Sequence, residues 1–441
     1  MKKTNLIIKG LGVAALALVA CDNTYDPVPL EYEKDPNFGA PELQEGWQLE
    51  EVPGMCDVAG VYGYKDVALN KLFTRNFGWN GGDGGLTLKL PDGNVYWDFN
   101  DSFYGVVDPE TRARGTSSFP RNSVMIQTMG EDGLPGMNDE NLIWMNPFIN
   151  LDNPDGPNYG CARTFLEHPK AVSYNDQGIA QDYVYWAGDA TIVDNQLQML
   201  WMGVYSSQLR QESTALAIYS LDGKPGDPGY MKEVSVDHNF MTENPWGYGS
   251  TLCECADGHI YLYATKSPAF LANNTIVART TTMDLRSEWE YFVPTEDGMG
   301  YMWSKEYPTE DQVNKVNISS SAISMPWVFE RDGWYYMVGQ GYPYSADIMI
   351  LRAKDPWGPF TDSVKLFTLP PKLDKIGDQT SFHYYMINLH ESLSREGELV
   401  FSTNSEVVDP LNFWNNFNDP GSADFYRLFY YRIYNWERIY K

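Results

Sequence analysis

Residues 78–103, GWNGGDGGLTLKLPDGNVYWDFNDSF, decide the fold. Two apolar runs, LTLKL and VYWDF, flank a Pro-Asp-Gly-Asn turn, and Asp-Gly between such runs is the strongest short signal for a β-hairpin. An aspartate lies outside each run: Asp83 stands among four glycines, and Asp101 comes just before Ser102 and Phe103. The stretch therefore predicts a hairpin with an acidic side chain beyond the end of each apolar run.

The second half of this hairpin recurs along the chain. An acidic residue with Gly or Asn, followed by an aromatic and β-branched run, begins at Asp92, Asp194, Asp257, Asp332 and, more weakly, Glu396. The spacings of 102, 63, 75 and 64 residues leave room for about four short strands in each repeat, which is the content of one propeller blade. We predict an all-β, five-bladed β-propeller over residues 51–441, with a β-sandwich as the alternative. The longer first spacing predicts insertions near 105–118 and 130–160 that wall a cleft.

The N-terminal segment predicts export and a lipid anchor. Residues 1–20 have a basic start, an apolar stretch and a small-residue run, which is the pattern of a signal peptide. With Cys21 that run resembles a bacterial lipoprotein box, in which the cysteine is lipidated; a chance cysteine after an ordinary signal peptide is the alternative. Residues 21–50 are rich in proline and acid and are interpreted as a tether. Their acidic start resembles the export tags of Bacteroidetes lipoproteins. We expect an outer-membrane anchor facing the cell surface, with the periplasm as the alternative.

Composition limits the partners. Removal of residues 1–20 takes three of the 32 basic residues and none of the 59 acidic ones, which leaves a formal charge of −30. Such a surface repels nucleic-acid phosphates and polyanionic glycans, so we predict a neutral polysaccharide or oligosaccharide as the substrate and no nucleic-acid partner. The chain is 15% aromatic, which suits a cleft that stacks on sugar rings as well as a core. We expect a monomer.

The remaining cysteines predict no chemistry of their own. Cys56, Cys161, Cys253 and Cys255 contain no Cys-x-x-Cys pair, so we predict no zinc or redox site and expect them to be buried or bridged. No cofactor is predicted to be required, and a structural calcium ion is the only ion considered.

The hairpin geometry predicts that the two aspartates meet. With the turn centred on Asp92-Gly93, regular antiparallel pairing places Gly84 opposite Asp101, with Asp83 one residue further on. In the second repeat, Asp189 opens the strand before the turn and is predicted to take the place of Asp83. Since the first strands of propeller blades converge on the central channel, we expect all three carboxylates on one face.

Clustered carboxylates point to acid–base chemistry. Mutual repulsion raises the pKa of at least one acid, and glycoside hydrolysis needs a protonated acid beside an ionised carboxylate. The alternatives are that these acids bind a cation or lie in solvated loops, and that the glycines near Asp83 serve only a turn.

The stretch GGDGGLTLKLPDGNVYWDFNDSF resembles the first blade of glycoside hydrolase family 183, formerly a domain of unknown function, whose five-bladed propellers cleave D-arabinan. FPRNSVMIQ (residues 119–127) and FHYYMINLHESLSREGELVFSTNS (residues 382–405) resemble that family as well. Where the family has a Gly-Asp-Thr-Phe-like element, this chain has residues 100–103, Asn-Asp-Ser-Phe, which keep the acid. The resemblance implies an enzyme that cleaves furanosidic, arabinan-type glycans with Asp83 and Asp101 as the catalytic pair.

A more distant resemblance is to glycoside hydrolase family 43, in which three acids act as base, pKa modulator and acid. It implies that Asp83 is the base and Asp189 the modulator. The acid of that family is a Glu before a Gly-Pro pair, and the comparable place here, residues 324–326, reads Ser-Met-Pro. The missing Glu shifts the expectation for a second catalytic acid to Asp101, and the sequence leaves open which member of the pair is the acid and which is the base.

Five further residues are candidates for substrate binding, each with a structural alternative: Arg121, Asn122, Trp246, Tyr248 and His383. The alternative for the arginine is to balance the charge of the acids, and the alternative for the aromatic residues is core packing. For His383 and His390, a structural role is favoured over a place on the cleft or at a channel ion. The competing function, from another class, is a non-catalytic surface lipoprotein that binds glycans.

Overall fold

A computed structural model describes residues 49–269, 272–370, 382–395, 397–407 and 416–440, with the side chains of residues 382, 383, 406 and 407 excepted. In these residues 23 strands form five antiparallel sheets. The first strands of neighbouring sheets contact one another in a closed ring, so each sheet is one blade of a five-bladed β-propeller. The predicted fold is confirmed.

Blades 1 and 2 are built from the strands that carry the predicted acids. Blade 1 comprises β3 (Phe77–Lys89), β4 (Val95–Val107), β5 (Arg114–Ser118), β6 (Ser123–Gln127) and β7 (Leu142–Trp144). Blade 2 comprises β8 (Tyr183–Val193), β9 (Gln196–Tyr205), β10 (Arg210–Leu221) and β11 (Tyr230–Met241).

Blades 3 and 4 follow the same meander. Blade 3 comprises β12 (Thr251–Glu254), β13 (Ile260–Lys266), β14 (Asn274–Thr280), β15 (Trp289–Pro294) and β16 (Tyr301–Ser304). Blade 4 comprises β17 (Ile323–Arg331), β18 (Trp334–Gly341), β19 (Asp347–Ala353) and β20 (Thr361–Thr368). The predicted turns at Asp194, Asp257 and Asp332 each join the first two strands of a blade, as the Asp92 turn does in blade 1.

Blade 5 joins the two ends of the described chain. Its order is β21 (Phe382–Leu389), β22 (Glu398–Val407), β23 (Leu428–Tyr434), β2 (Tyr62–Asp66) and β1 (Leu49–Glu51). β1 therefore begins inside the segment predicted as a tether; the rest of that segment, the signal peptide and Cys21 lie outside the described residues. The helices are short: α1 (Val67–Leu72) and α2 (Glu310–Asn314), with 3-10 turns at Asp139–Asn141, Ser206–Gln208, Glu391–Leu393, Ser422–Asp424 and Trp436–Tyr440.

A buried ion network fastens this closure. Arg432 on β23 contacts Asp66, at the end of β2, at 2.6 Å and Glu398, at the start of β22, at 2.7 Å. All three side chains are fully buried. Asp66 also caps α1 through the backbone N–H of Leu69 at 2.8 Å. The network therefore joins three strands of blade 5 to the helix that leads into blade 1.

The first hairpin departs from the predicted register. Gly84 pairs with Phe99, not with Asp101, because the register shifts by one residue on either side of this glycine. Away from the turn, Asn100 and Asp101 together face the single residue Asp83, which is the arrangement of a β-bulge. The predicted pairing was wrong in detail, and the observed one still brings the two aspartates to neighbouring positions.

The hydrophobic core lies between the blades. One cluster joins blades 1 and 2 through residues such as Tyr96, Tyr185 and Trp201, and others continue this packing from blade 2 to blade 5. Most of the aromatic content is used here. Of the cysteines in the described part, Cys161, Cys253 and Cys255 are buried and Cys56 is partly buried, and all four are free thiols.

The insertion predicted near 105–118 is an ordered hairpin formed by β4 and β5. Its Arg114 guanidinium donates to the carbonyl oxygens of Ser422 (2.6 Å) and Phe425 (3.0 Å), which tie blade 1 to the segment before β23. Across the described ranges, no helix is long and apolar enough to cross a membrane.

Candidate active site

Asp83 lies in the glycine-rich half of β3 and is nearly buried, with 8% of its surface exposed. Its Oδ2 accepts hydrogen bonds from the hydroxyls of Tyr385 (2.7 Å) and Tyr426 (2.8 Å). Tyr385 is on β21 and Tyr426 precedes β23, so both donors come from blade 5. Two donors to one oxygen stabilise the ionised form of a carboxylate.

The glycines beside Asp83 allow β3 to approach blade 5. The N–H of Gly82 donates to the carbonyl oxygen of Tyr426 at 2.8 Å. A Cβ atom on Gly81 would lie 2.6 Å from the same oxygen and 2.5 Å from the guanidinium of Arg114. These glycines therefore serve a close approach of two backbones within a strand, and not the turn that was the alternative.

Asp101 is held by different neighbours. Its Oδ1 lies 3.0 Å from Nε of Arg121 and accepts a long hydrogen bond of 3.4 Å from Trp186 on β8. Burial raises the pKa of the Asp101 carboxyl above its ordinary value, although Arg121 and Trp186 act in the opposite direction. Its side chain is 13% exposed, so the carboxyl is reachable from outside.

Tyr426 interacts with both carboxylates. Burial raises the pKa of its phenol well above the ordinary value, and the charges of Asp83 and Asp101 both raise it further. A neutral, donating hydroxyl is therefore maintained beside Asp83. The site unites an aspartate fixed by two phenols with an aspartate whose proton affinity is increased, and neither tyrosine was among the predicted residues.

Asp189 occupies another part of the ring. It lies four residues before the end of β8, whereas Asp83 lies six before the end of β3, so the two positions differ from the predicted equivalence. Its two oxygens accept hydrogen bonds from the backbone N–H groups of Ala190 and Leu252, each at 2.9 Å. Burial raises the pKa of Asp189 to about 7, with smaller contributions from Glu254 and Glu391.

Asp189, Glu254 and Glu391 line a central cavity of about 500 Å³, and the first strand of every blade contributes to its wall. Glu391 is accessible within the cavity, yet the surrounding walls desolvate it and raise its pKa to about 7. The cavity is also lined by the last residues of β3, such as Lys89, so it extends toward the opposite end of the ring from Asp101.

The observed contacts of Arg121 and Asn122 are structural. Arg121 pairs with Asp101 and also donates to Ser206 Oγ at 2.9 Å, so it balances charge, as the alternative proposed, and fixes the carboxylate. Asn122 is fully buried, and its amide bonds only to backbone groups of Leu166 and Tyr185. A side chain so enclosed has no group left for a sugar, which corrects the prediction for Asn122.

The remaining substrate-binding candidates differ in how far their side chains are exposed. Tyr248 is 1% exposed and packs edge-on against Tyr291, so it belongs to the core and offers no platform. Trp246 is half-buried and lines a second cavity of about 530 Å³. His383 is on β21, but its side chain is outside the described part. His390 is buried, bonded to Thr87 and Ser402, and is a structural histidine.

No group of three or more His, Cys, Asp or Glu within the described ranges is arranged to hold a metal ion. A structural calcium ion stays a prediction.

The chain belongs to the family described as "Domain of unknown function (DUF5005)", whose model matches residues 66–436. A crystal structure from Bacteroides ovatus ATCC 8483, described as "a putative hydrolase", is 48% identical; the match covers 91% of this chain and 97% of that one, with a TM-score of 0.83. No protein with a curated description matches the sequence.

More distant structures include the GH43_1 enzyme from Xanthomonas citri, 13% identical over 83% of this chain and 91% of that one, with a TM-score of 0.40. The GH43B protein of a Bacteroides ovatus xyloglucan locus is 12% identical over 78% and 51%, with a TM-score of 0.39. Scores this low support no conclusion about the site.

Proposed function

We propose that the protein is a glycoside hydrolase that cleaves furanosidic glycans of the arabinan type, D-arabinan among them, with Asp83 and Asp101 as its catalytic pair. The observation that carries the proposal is the contrast between the two carboxyls: Asp83 accepts two phenol hydrogen bonds, whereas burial raises the pKa of Asp101. Two acids with environments that push their ionisation apart are what glycoside hydrolysis requires.

The description of the Bacteroides ovatus relative supports a hydrolase. The resemblance of residues 78–103 to the D-arabinan-cleaving family supports the furanosidic substrate. Both supports are by similarity, and the geometry of the pair is the support from the molecule itself.

The contrast assigns a role to each aspartate. Asp101 donates its proton to the glycosidic oxygen as the bond from that oxygen to the anomeric carbon breaks. Asp83, ionised, either deprotonates the attacking water or bonds to the anomeric carbon itself. A carboxyl separation of about 5–5.5 Å favours the covalent, retaining route, and about 6.5–9.5 Å favours direct attack by water. Asp189 is proposed to tune the pair; its observed contacts are with backbone amides.

We further propose a lipid anchor at Cys21, an outer-membrane location facing the cell surface, and a monomer that requires no cofactor. The anchor would place the propeller where an extracellular neutral glycan can reach it.

Reducing-end release from a panel of arabinans tests the function. Wild-type protein should release sugars, and Asp83→Asn and Asp101→Asn should each lower kcat by about a hundredfold or more while the thermal transition is retained. Asp332→Asn is the matched control, because this exposed aspartate lies in the blade 4 turn at φ 53°, a conformation that asparagine tolerates. Binding of arabinan without release by wild type would instead favour the glycan-binding lipoprotein. Full activity in either site variant would show that the site is wrong.

A further inference from the structure

The second cavity lies between blades 2, 3 and 4, and the proposed acid–base chemistry does not use it. Residues at the start of β10, the end of β13 and the start of β17 contribute to its wall. These strand ends lie on one face of the ring. The C-terminal half of β4, which carries Asp101, points to the same face. The residues that matter here are Leu209, Arg210, Gln211, Trp246, Ser250 and Met325.

The rim of this cavity carries an apolar side chain in an unfavourable place. Leu209 is 71% exposed and has φ 50°, in the left-handed region. A leucine in this conformation is strained relative to ordinary backbone, and its exposure adds no stability. Beside it, the half-buried ring of Trp246 lines the cavity with the Lys266 ammonium 4.3 Å from the ring centre. The rim therefore combines an aromatic ring with an apolar side chain held outward.

The charges of this cavity are already balanced. The Arg210 guanidinium pairs with Glu212 at 2.5 Å, and Lys266 pairs with Glu310 at 3.1 Å. With the hydroxyl of Ser250 and the amide of Gln211, these groups offer hydrogen bonds without a net field that would select an anion. An apolar platform with a few polar groups at its edge suits a neutral sugar.

A continuous connection links this cavity to the catalytic pair. Arg121 contacts Asp101 at 3.0 Å and Ser206 at 2.9 Å. Ser206 begins the 3-10 turn Ser206–Gln208, and Leu209 follows directly. Three residues of a 3-10 turn advance the chain by about 6 Å. The cavity therefore begins one short turn beyond Ser206, the residue that Arg121 contacts while it also holds Asp101.

We propose that this cavity is a second glycan subsite, which holds another sugar unit of the same chain while the scissile bond lies at Asp83 and Asp101. The inference rests on the proposed function and extends it: Trp246 and Leu209 pack against the apolar face of the distant sugar, and Arg210, Gln211 and Ser250 bond its hydroxyls. A site of two separated subsites prefers long chains to short ones.

Steady-state kinetics with arabino-oligosaccharides of increasing length, from the disaccharide upward, tests the inference. The wild-type ratio of kcat/KM for the longest substrate to that for the disaccharide should be large. Trp246→Ala and Leu209→Asn should reduce that ratio by roughly three- to tenfold, mainly through KM. Asparagine suits the left-handed backbone at residue 209, so this variant is expected to fold even if Trp246→Ala does not. Val234→Asn, at an exposed aliphatic position on the outermost strand of blade 2, is the matched control.

The outcomes separate the two proposals. A wild-type ratio that does not grow with chain length, or an unchanged ratio in Leu209→Asn, overturns the subsite while hydrolysis of the disaccharide still upholds the function. If wild type hydrolyses no member of the series, the proposed function fails, and calorimetric titration with the longest oligosaccharide decides the subsite. Weaker binding by Leu209→Asn than by wild type then supports it, and equal binding or no binding overturns it.

Discussion

One oxygen of Asp83 accepts hydrogen bonds from two phenol hydroxyls, an arrangement that favours the ionised form of a carboxylate. Tyr426 is the more informative partner, because its hydroxyl feels the charge of both Asp83 and Asp101. A phenylalanine in its place would keep the ring packing and remove only the donor. The ionised form of Asp83 would then lose one of its two hydrogen bonds.

Tyr426→Phe should therefore lower kcat/KM by about tenfold and move the acidic limb of the pH–rate profile to higher pH, since a less stabilised carboxylate holds its proton longer. The pH dependence of kcat/KM measures both effects. Tyr430→Phe is the matched control: Tyr430 is fully buried, and its hydroxyl has no partner in the described part of the chain. An unshifted profile in Tyr426→Phe would contradict the role assigned to this hydroxyl.

The residues that sequence reasoning missed are distant in the chain. Tyr385 and Tyr426 lie 302 and 343 residues from Asp83, so no local pattern connects them. Asn122 and Tyr248 were selected by residue type beside a candidate site. Only the packing of the loops around residues 166 and 307 shows that both are enclosed.

At the scale of elements, the ring of first strands collects carboxyl groups in a desolvated cavity. Burial raises the pKa of Asp189 from 3.8 to about 7. Between about pH 4 and pH 7 the folded protein therefore keeps a proton at Asp189 that the unfolded chain has released. Because the folded state binds more protons in this window, the contribution of Asp189 to the free energy of unfolding falls as the pH rises through it and becomes constant above pH 7.

Asp189→Asn cannot titrate, so its free energy of unfolding should fall less between pH 5 and pH 8 than that of wild type. Between pH 5 and pH 8 the difference is at most about 3 kcal/mol for a single group with such a shift, because only the part of the window below pH 7 contributes. Urea unfolding at several pH values in this window measures the slope, and Asp332→Asn, which changes an exposed aspartate, should keep the wild-type slope. Parallel curves for wild type and Asp189→Asn would show that Asp189 is not the titrating group.

The hairpin turns were predictable and their register was not. Asp-Gly and Asp-Asn favour left-handed backbone, and Asp194, Asn195 and Asp332 have φ of 49°, 60° and 53°. The register shifts around Gly84 depend on something else: glycine permits β3 to bend against the backbone of blade 5. That contact partner is set by the closure of the ring, which no pattern within residues 78–103 contains.

At the scale of the whole molecule, stability depends on how blade 5 is closed. Arg432 holds the carboxylates of Asp66 and Glu398 from two different strands in a fully buried network. Removal of the cation would leave two buried acids without their shared partner, which is far more costly than loss of an exposed pair.

Arg432→Ala should therefore destabilise the protein by about 3–5 kcal/mol, measured by urea unfolding at neutral pH. Lys315→Ala, which removes an exposed pair with Asp311, should cost less than about 1 kcal/mol. Equal effects in the two variants would mean that the closure does not depend on this network.

The number of blades followed from counting turns, because each turn marks the first hairpin of one blade. The participation of β1 and β2 in blade 5 was not predicted, since Leu49–Glu51 has the acidic composition of the segment before it. Pairing of Tyr62 with Tyr434 joins residues at opposite ends of the chain, and composition carries no signal for such a partner.

Closure of blade 5 also makes the proposed catalytic activity a signal that folding is complete. Asp83 lies in blade 1, but the hydroxyls that bind it belong to Tyr385 and Tyr426 of blade 5. Blade 5 is complete only when β2 pairs with β23. A chain with four finished blades would have its acids and still lack the partners of Asp83. In a refolding experiment, recovery of catalysis should coincide with the last structural phase and never precede it.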